Sequence, residues 1–321
     1  DKAENITVPP ARSFTLDDIL PRTSLYTPSQ EYHNFLPTIS GTAWDEGPPA
    51  PARSRLKEVK IAIRDDPGAT GLWWDGSGFT IYETEVPPPT NSPAWFSVSN
   101  NVVEGSDSSV WYHTGSTPTW VDGRSYLVCV RAQDRSLNYQ SPITSYTFIY
   151  DITKPTVKLM IPQEGTGFRY NNLPTISGTT SDVSPGKVSS VYIRIRENVG
   201  LLRYWNNNTQ QFDDTLQPED AWFVTITTVT PSWSIWFATF TNLPWQDGIE
   251  YIVEAKSYDA ATNLCVSYST SVFTYDVSKP RSYVALPADN SYRRQLTLIS
   301  GTASDTAGGS VVDVKVYVKR L

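Results

Sequence analysis

One phrase is written three times in this chain of 321 residues. "LPTISGT" stands at positions 36 to 42 and again at 173 to 179, and "LTLISGT" follows at 296 to 302. Each copy precedes an alternating run: "VKIAIR" from Val59, "VYIRIR" from Val191 and "VKVYVK" from Val314. In each run every second residue is apolar and β-branched (Val59, Ile61, Ile63; Val191, Ile193, Ile195; Val314, Val316, Val318). A period of two with such residues is the pattern of a strand with one buried face. A second phrase closes each stretch, as "FTLDDILP" at 14 to 21, "FIYDITKP" at 148 to 155 and "FTYDVSKP" at 273 to 280. Its fourth place is Asp17, Asp151 or Asp276, and its last is Pro21, Pro155 or Pro280. Proline there withholds a backbone donor and ends the strand.

The segments between these phrases also match: "VWYHTG" with "IWFATF", and "WVDGRSYLVCVRAQDRSLN" with "WQDGIEYIVEAKSYDAATN". The repeat is about 125 to 135 residues long, the size of an independently folding domain rather than of a solenoid repeat. Residues 1–21 read as the closing strand of a preceding unit with its linker, 22–155 as a first domain and 156–280 as a second. Residues 281–321 read as the first three strands of a third, incomplete domain. The chain is then an excerpt from a longer array, or its end domains are completed by strands from neighbouring molecules, a route to homo-oligomers or filaments.

Aromatic residues make up 12% of the chain and proline is frequent, while no amphipathic helical window appears. Short, turn-punctuated strands therefore predict an all-β fold of tandem immunoglobulin-like antiparallel β-sandwiches. The phrases "LPTISGT", "SYDAATN" and "FTYDVSKP" resemble those of bacterial Ig-like repeats in large secreted and surface proteins. That resemblance implies a structural segment, whether stalk, adhesin shaft, filament or sheath component, with an extracellular or cell-surface location. The long middle sections around Trp73 and Trp205 exceed the common size of such repeats.

A net charge of −7 without clustered Lys or Arg argues against nucleic acid as a partner. No run approaches the roughly 18 apolar residues of a membrane helix. Cys129 and Cys265 fall at non-equivalent places, which is no disulfide framework. An enzyme is not expected. His33 and His113 are the only histidines, and Ala238 stands where His113 does in the other unit, so the repeats share no triad or zinc site. The pairs Asp65 and Asp66, and Asp213 and Asp214, sit in polar turns.

Most tryptophans recur at matching places (Trp111 and Trp236, Trp120 and Trp245, Trp95 and Trp222, Trp73 or Trp74 and Trp205), which favours packing. Trp44 and Trp233 lack counterparts and are candidates for a surface contact, for instance with a glycan. They would serve the alternative function, a carbohydrate-binding or accessory module of a secreted enzyme. The sequons at Asn5 and Asn207 permit glycosylation in principle.

In an antiparallel sandwich, the loop after the "ISGT" strand and the loop before the closing strand lie at the same end as the entering linker. This predicts two groups of oxygen ligands: Asp17, Asp45, Asp134 and Asn138 at the first junction, and Asp151, Asp182, Asp259 and Asn263 at the second. Asp305 is placed in the same way. Calcium suits such a set, since it takes six to eight oxygens. The alternative is that these residues cap turns or pair with Lys154, Lys279 and Arg22.

Overall fold

The alternating runs of the first two repeats become the central strands of two sandwiches. The computed structural model describes residues 10–45, 54–65, 71–115, 117–229, 232–240, 245–306 and 309–319, without the side chains of 226–233. The chain divides into two compact units, Asp1–Ile152 and Thr153–Leu321.

The first unit contains β1 (Arg22–Thr27), β2 (Tyr32–His33), β3 (Thr38–Trp44), β4 (Leu56–Asp65), β5 (Trp73–Trp74), β6 (Phe79–Ile81), β7 (Phe96–Ser97), β8 (Ser108–Thr114), β9 (Arg124–Asp134) and β10 (Thr144–Tyr150). One sheet is ordered β1-β3-β8 and the other β2-β10-β9-β4-β5-β6, with β7 on β4. The second unit repeats the plan with β11 (Thr156–Ile161), β12 (Gly165–Tyr170), β13 (Thr175–Ser181), β14 (Val188–Glu197), β15 (Tyr204–Asn206), β16 (Gln211–Asp213), β17 (Phe223–Val224), β18 (Ile226–Val229), β19 (Ser232–Thr239), β20 (Glu250–Asp259) and β21 (Ser269–Tyr275). Its sheets are β11-β13-β19-β18 and β12-β21-β20-β14-β15-β16. Finally β22 (Arg281–Leu286) and β23 (Ser300–Ser304) form a two-stranded ladder. The fold is all-β, with the two-sheet division of immunoglobulin domains.

The sheets are not wholly antiparallel as expected. β2 runs parallel to β10, and β12 parallel to β21. The entering chain leaves one sheet after β1, crosses to the other, and lies beside the last strand, which runs in the same direction.

The repeated "ISGT" has a physical cause. Each first strand bulges at the same point, between Leu25 and Thr27, Leu159 and Ile161, and Val284 and Leu286. There the first strand's backbone comes down on the glycine. A Cβ on Gly41 would lie 1.9 Å from the Ser24 carbonyl oxygen and 2.7 Å from Trp111; one on Gly178 would lie 2.1 Å from Lys158 O and 2.3 Å from Trp236. On Gly301 it would meet Tyr283 O at 2.1 Å. Glycine is required at this spot for close approach, not for an unusual φ.

Trp111 and Trp236 are fully buried opposite these glycines, and each fills the space between its two sheets. The core around Trp111 takes Ile39 from one sheet and Val59, Ile61, Ile63, Val128 and Val130 from the other. The motif "W-x-D-G" supplies a corner: Trp120 Nε1 donates to Leu36 O at 2.9 Å, and Tyr126 Oη accepts from the Val121 amide at 2.9 Å. Trp245 and Tyr251 repeat both bonds with Leu173 and Gln246. Pairing of Arg64 with Trp73 and of Arg196 with Tyr204 makes Trp74 the counterpart of Trp205.

The long middle section covers the outer face of the larger sheet. In the first unit Trp73, Ala94 and Trp95 pack there on Ala62, Leu127 and Cys129 as a second, smaller core. Cys129 and Cys265 are both buried and free.

Two expected strands do not form. Residues 10–21 carry no strand, and neither do 311–319, where "VKVYVK" lies. The counterparts β4 and β14 are held along their length by β9 and β20. Among the described residues, Val314 and its neighbours join no such ladder.

Candidate functional site

In the first unit three buried carboxylates come from three different stretches. Asp17 lies on the entering segment, Asp45 just after β3 and Asp134 at the end of β9, and one carboxylate oxygen from each lies within 4.8 Å of the others. Their exposures are 7%, 2% and 0%. Backbone amides hold them in place. Asp17 accepts from Ile19 N (3.1 Å) and Ser54 N (2.6 Å), Asp45 from Arg55 N (2.8 Å), and Asp134 from Asn138 N (2.8 Å). Only the Asp17–Ile19 bond is an Asx turn, and Asp134 closes its own loop through Asn138; the bonds from Ser54 and Arg55 tie Asp17 and Asp45 to the segment that enters β4.

Asn138 joins the group as a donor. Its Nδ2 donates to Asp134 Oδ2 at 2.8 Å and to the Asp17 carbonyl at 2.9 Å, tying the entering segment to the loop after β9. For its amide oxygen to serve as a ligand, the side chain would have to turn and give up both bonds. The cation reading counted it as an oxygen donor, and in this arrangement it is not one.

The second unit builds the same loop. Asp259 accepts from Asn263 N at 2.7 Å and from Asn263 Nδ2 at 2.8 Å, and Asn263 Nδ2 reaches the Thr153 carbonyl at 3.4 Å. Leu137 and Thr262 sit at matching loop positions with φ of 70° and 71°. A β-branched residue rarely adopts that conformation, so the Asp–Asn bonds stabilise a backbone with intrinsic strain. Burial is the leading reason that the Asp259 carboxyl is pushed up from its ordinary value, with the Asn263 bonds opposing it. Asp182 accepts from Val183 N at 2.9 Å. Asp151, next to last in the first unit, is buried and donates its amide to His33 O at 2.9 Å. Further along, Asp276 and Asp305 converge on Gly309, where an added Cβ would meet Asp305 Oδ2 at 2.4 Å and Asp276 Oδ2 at 2.7 Å.

Trp44 ends β3 half-buried, paired with Arg22 and Ser108. Trp233 belongs to β19, but its side chain lies outside the described residues, as do Asn5 and Asp66. Asn207 is in the exposed turn between β15 and β16.

A Ser–His contact that the sequence did not suggest joins Ser99 Oγ and His113 Nδ1 at 3.2 Å. Ser99 Oγ also donates to Thr114 O at 2.7 Å, which makes it the acceptor toward the imidazole. That polarity is opposite to the one a general base needs.

No family model and no curated protein matches the chain. Among solved structures, it is similar to Clostridium thermocellum CbhA fibronectin(III)-like modules at 15% identity, over 79% of this chain and 94% of that one, with a TM-score of 0.37. A tetra-tandem repeat in the extending region of a large adhesion protein matches at 17% identity and a TM-score of 0.29, over 85% of this chain and 53% of that one. A structure of a 1.5-MDa bacterial ice-binding adhesin, concerned with host cell surface retention, matches at 11% identity over 85% and 69%, with a TM-score of 0.31. Among the described residues, no helix is long and apolar enough to cross a membrane.

Proposed function

We propose that the chain is a structural repeat segment of a large bacterial cell-surface or secreted protein, supplying length and stiffness and presenting edges for self-association. One observation carries this reading: two sandwiches are built with the same order of their shared strands, the same bulge over the same glycine and the same buried tryptophan, the second unit adding only β18 at an edge. A chain selected for a repeated scaffold keeps the contacts that close each sandwich. A chain selected for catalysis would keep a reactive constellation, and His113 of one unit is Ala238 in the other.

The carboxylate clusters fit this reading as organisers of the entering segment. We propose further that Asp17, Asp45 and Asp134 take up a divalent cation of calcium's type. Asp182 and Asp259 stand at the equivalent places of the next repeat, with Asp151 in the sequence position of Asp17. The cation would offset the mutual repulsion of the carboxylates. Calorimetric melting with calcium and with chelator tests this. The reading expects a higher melting temperature with calcium; identical transitions remove the ion and leave the hydrogen-bonded turns. The shaft reading is tested separately, by small-angle scattering on chains carrying one or more extra copies of residues 22–155. Maximum dimension should grow in proportion to copy number, and growth typical of a flexible string would overturn it.

A further inference from the structure

The outer face of the larger sheet is where the two units part company. Cross-strand pairing aligns Lys60 and Arg131 in the first unit with Tyr192 and Lys256 in the second, and Ala62 and Cys129 with Arg194 and Glu254. Trp95 and Trp222 share a place over this face, since Phe96 and Phe223, the next residues, pair with Ile61 and Ile193.

In the second unit the cations have carboxylate partners. Arg194 Nη2 lies 2.7 Å from Glu254 Oε2, and Lys256 Nζ lies 3.9 Å from Glu219 Oε2. In the first unit Cys129 replaces Glu254, and Ser92, three residues before Trp95, replaces Glu219. Tyr139 and then Glu58 act favourably on the Arg131 charge, but Glu58 is itself paired with Lys60 Nζ at 3.3 Å.

Arg131 is 4% exposed. Its guanidinium carbon lies 4.2 Å from the Trp95 ring centre and 4.7 Å from that of Tyr139. Nη2 donates to Thr90 O at 2.8 Å, and Nε, fully buried, has no hydrogen-bond partner among the described residues. Beside the guanidinium opens a cleft of about 650 Å³, whose walls include Val86, Pro88, Trp95, Tyr139 and Ile143. That volume is in the range of sites for small organic ligands. Gln140, also on the wall, is fully engaged, accepting from Thr23 and Ala132 and donating to Pro142 and Thr144.

We propose that this cleft binds the carboxylate of a small acid, which takes at Arg131 the place that glutamates take beside the cations of the second unit. Two rings and one carbonyl compensate a buried guanidinium only in part, and a desolvated charge without a counter-ion is costly. Burial is the main cause of the lowered Arg131 pKa, a cost that a bound anion relieves. A guanidinium and a carboxylate match in shape and charge, and their hydrogen bonds are stronger than neutral ones. Proline and aromatic walls suit a body with apolar faces, as found in a uronate residue of a glycan or a cyclic carboxylic acid. Glu85 on the lining is exposed, so solvent screens its repulsion of a bound carboxylate.

The test is NMR observation of arginine Nε–Hε resonances in the full chain at constant ionic strength. The Arg131 peak is assigned by its loss in Arg131→Lys. Glucuronate, benzoate and glucose are titrated in turn. A saturable shift of the Arg131 peak in the millimolar range with glucuronate alone supports a glycan source, with benzoate alone an organic acid, and with both a general carboxylate site. Ser92→Glu, which copies the counter-ion of the second unit, should weaken the response at least about tenfold in a protein with unchanged melting. No shift with either acid, or an equal shift with glucose, overturns the proposal without recourse to a variant. So does a folded Ser92→Glu protein that binds as well as the parent.

Discussion

Replacing Gly41 by alanine should unseat the first strand of the first unit. The added Cβ would stand 1.9 Å from the Ser24 carbonyl oxygen and 2.7 Å from Trp111 Cζ2. A carbon and a carbonyl oxygen approach to about 3.3 Å at closest, so the strand must retreat by roughly 1.4 Å. That retreat strains the ladder between Leu25 and Gly41. Losing two of its hydrogen bonds costs about 2 kcal/mol, and displacing a fully buried tryptophan adds about 1 to 3 kcal/mol of overpacking. The sum is about 3 to 5 kcal/mol, a large share of a domain's stability. Gly178→Ala should cost about the same in the second unit, by the same mechanism. Gly78→Ala is the control: its Cβ would meet only Thr80 Cγ2, at 3.6 Å, and it should change stability by less than about 0.5 kcal/mol. Urea unfolding read by hydrogen exchange and mass spectrometry reports β1–β3 and β11–β13 separately, so each variant should weaken its own unit. A Gly41→Ala protein within about 1 kcal/mol of the parent would refute the close-approach account of the repeated phrase.

Tyr126→Phe and Tyr251→Phe each remove the acceptor of one backbone amide, and each should lower stability by about 1 to 2 kcal/mol in urea unfolding; no loss would show that water replaces the hydroxyl. The raised Asp259 carboxyl binds its proton more readily folded than unfolded, so its contribution is most favourable below the ordinary value of 3.8 and declines as pH rises through the raised value. Asp259→Asn should flatten that decline for the second unit, and an unchanged slope of stability against pH would assign it to other groups. Burial pushes the Cys129 thiol up to about 12, so a thiol reagent at neutral pH should label it only after unfolding; fast labelling of the native protein would contradict its place under Trp73 and Ala94.

The core was legible because alternation states which side chains share a face. Val59, Ile61 and Ile63 point inward as the period requires, and Trp111 and Trp236 fill the same cavity because the same glycine opposes them. Convergence of Asp17, Asp45 and Asp134 followed from strand direction alone. The direction of Asn138 did not, since an amide presents either oxygen or nitrogen according to neighbours that only the folded loop supplies. The crossing of β2 to the far sheet was equally hidden: "YH" is two residues long, carries no periodic signal, and pairs with β10, a strand more than a hundred residues later. Alternation also stops at the outer face of β9. It marks Cys129 and Arg131 as pointing away from the core, but not that the middle section returns to cover them.

The two kinds of position therefore carry different constraints. Gly41 and Gly178 cannot vary, because no side chain fits between the first strand and the buried tryptophan. One outer cross-strand slot holds Ala62 with Cys129 in one unit and Arg194 with Glu254 in the other, an apolar pair and an ion pair on the same framework. Since both units pair the same strands over these different residues, the fold does not choose between them. A property common to the repeats must then reside in the strands and the carboxylate loops, which both units build alike. A property that distinguishes one repeat from the next belongs to the covered outer face, where Ser92 stands at the place of the glutamate that lies beside Lys256, the counterpart of Arg131.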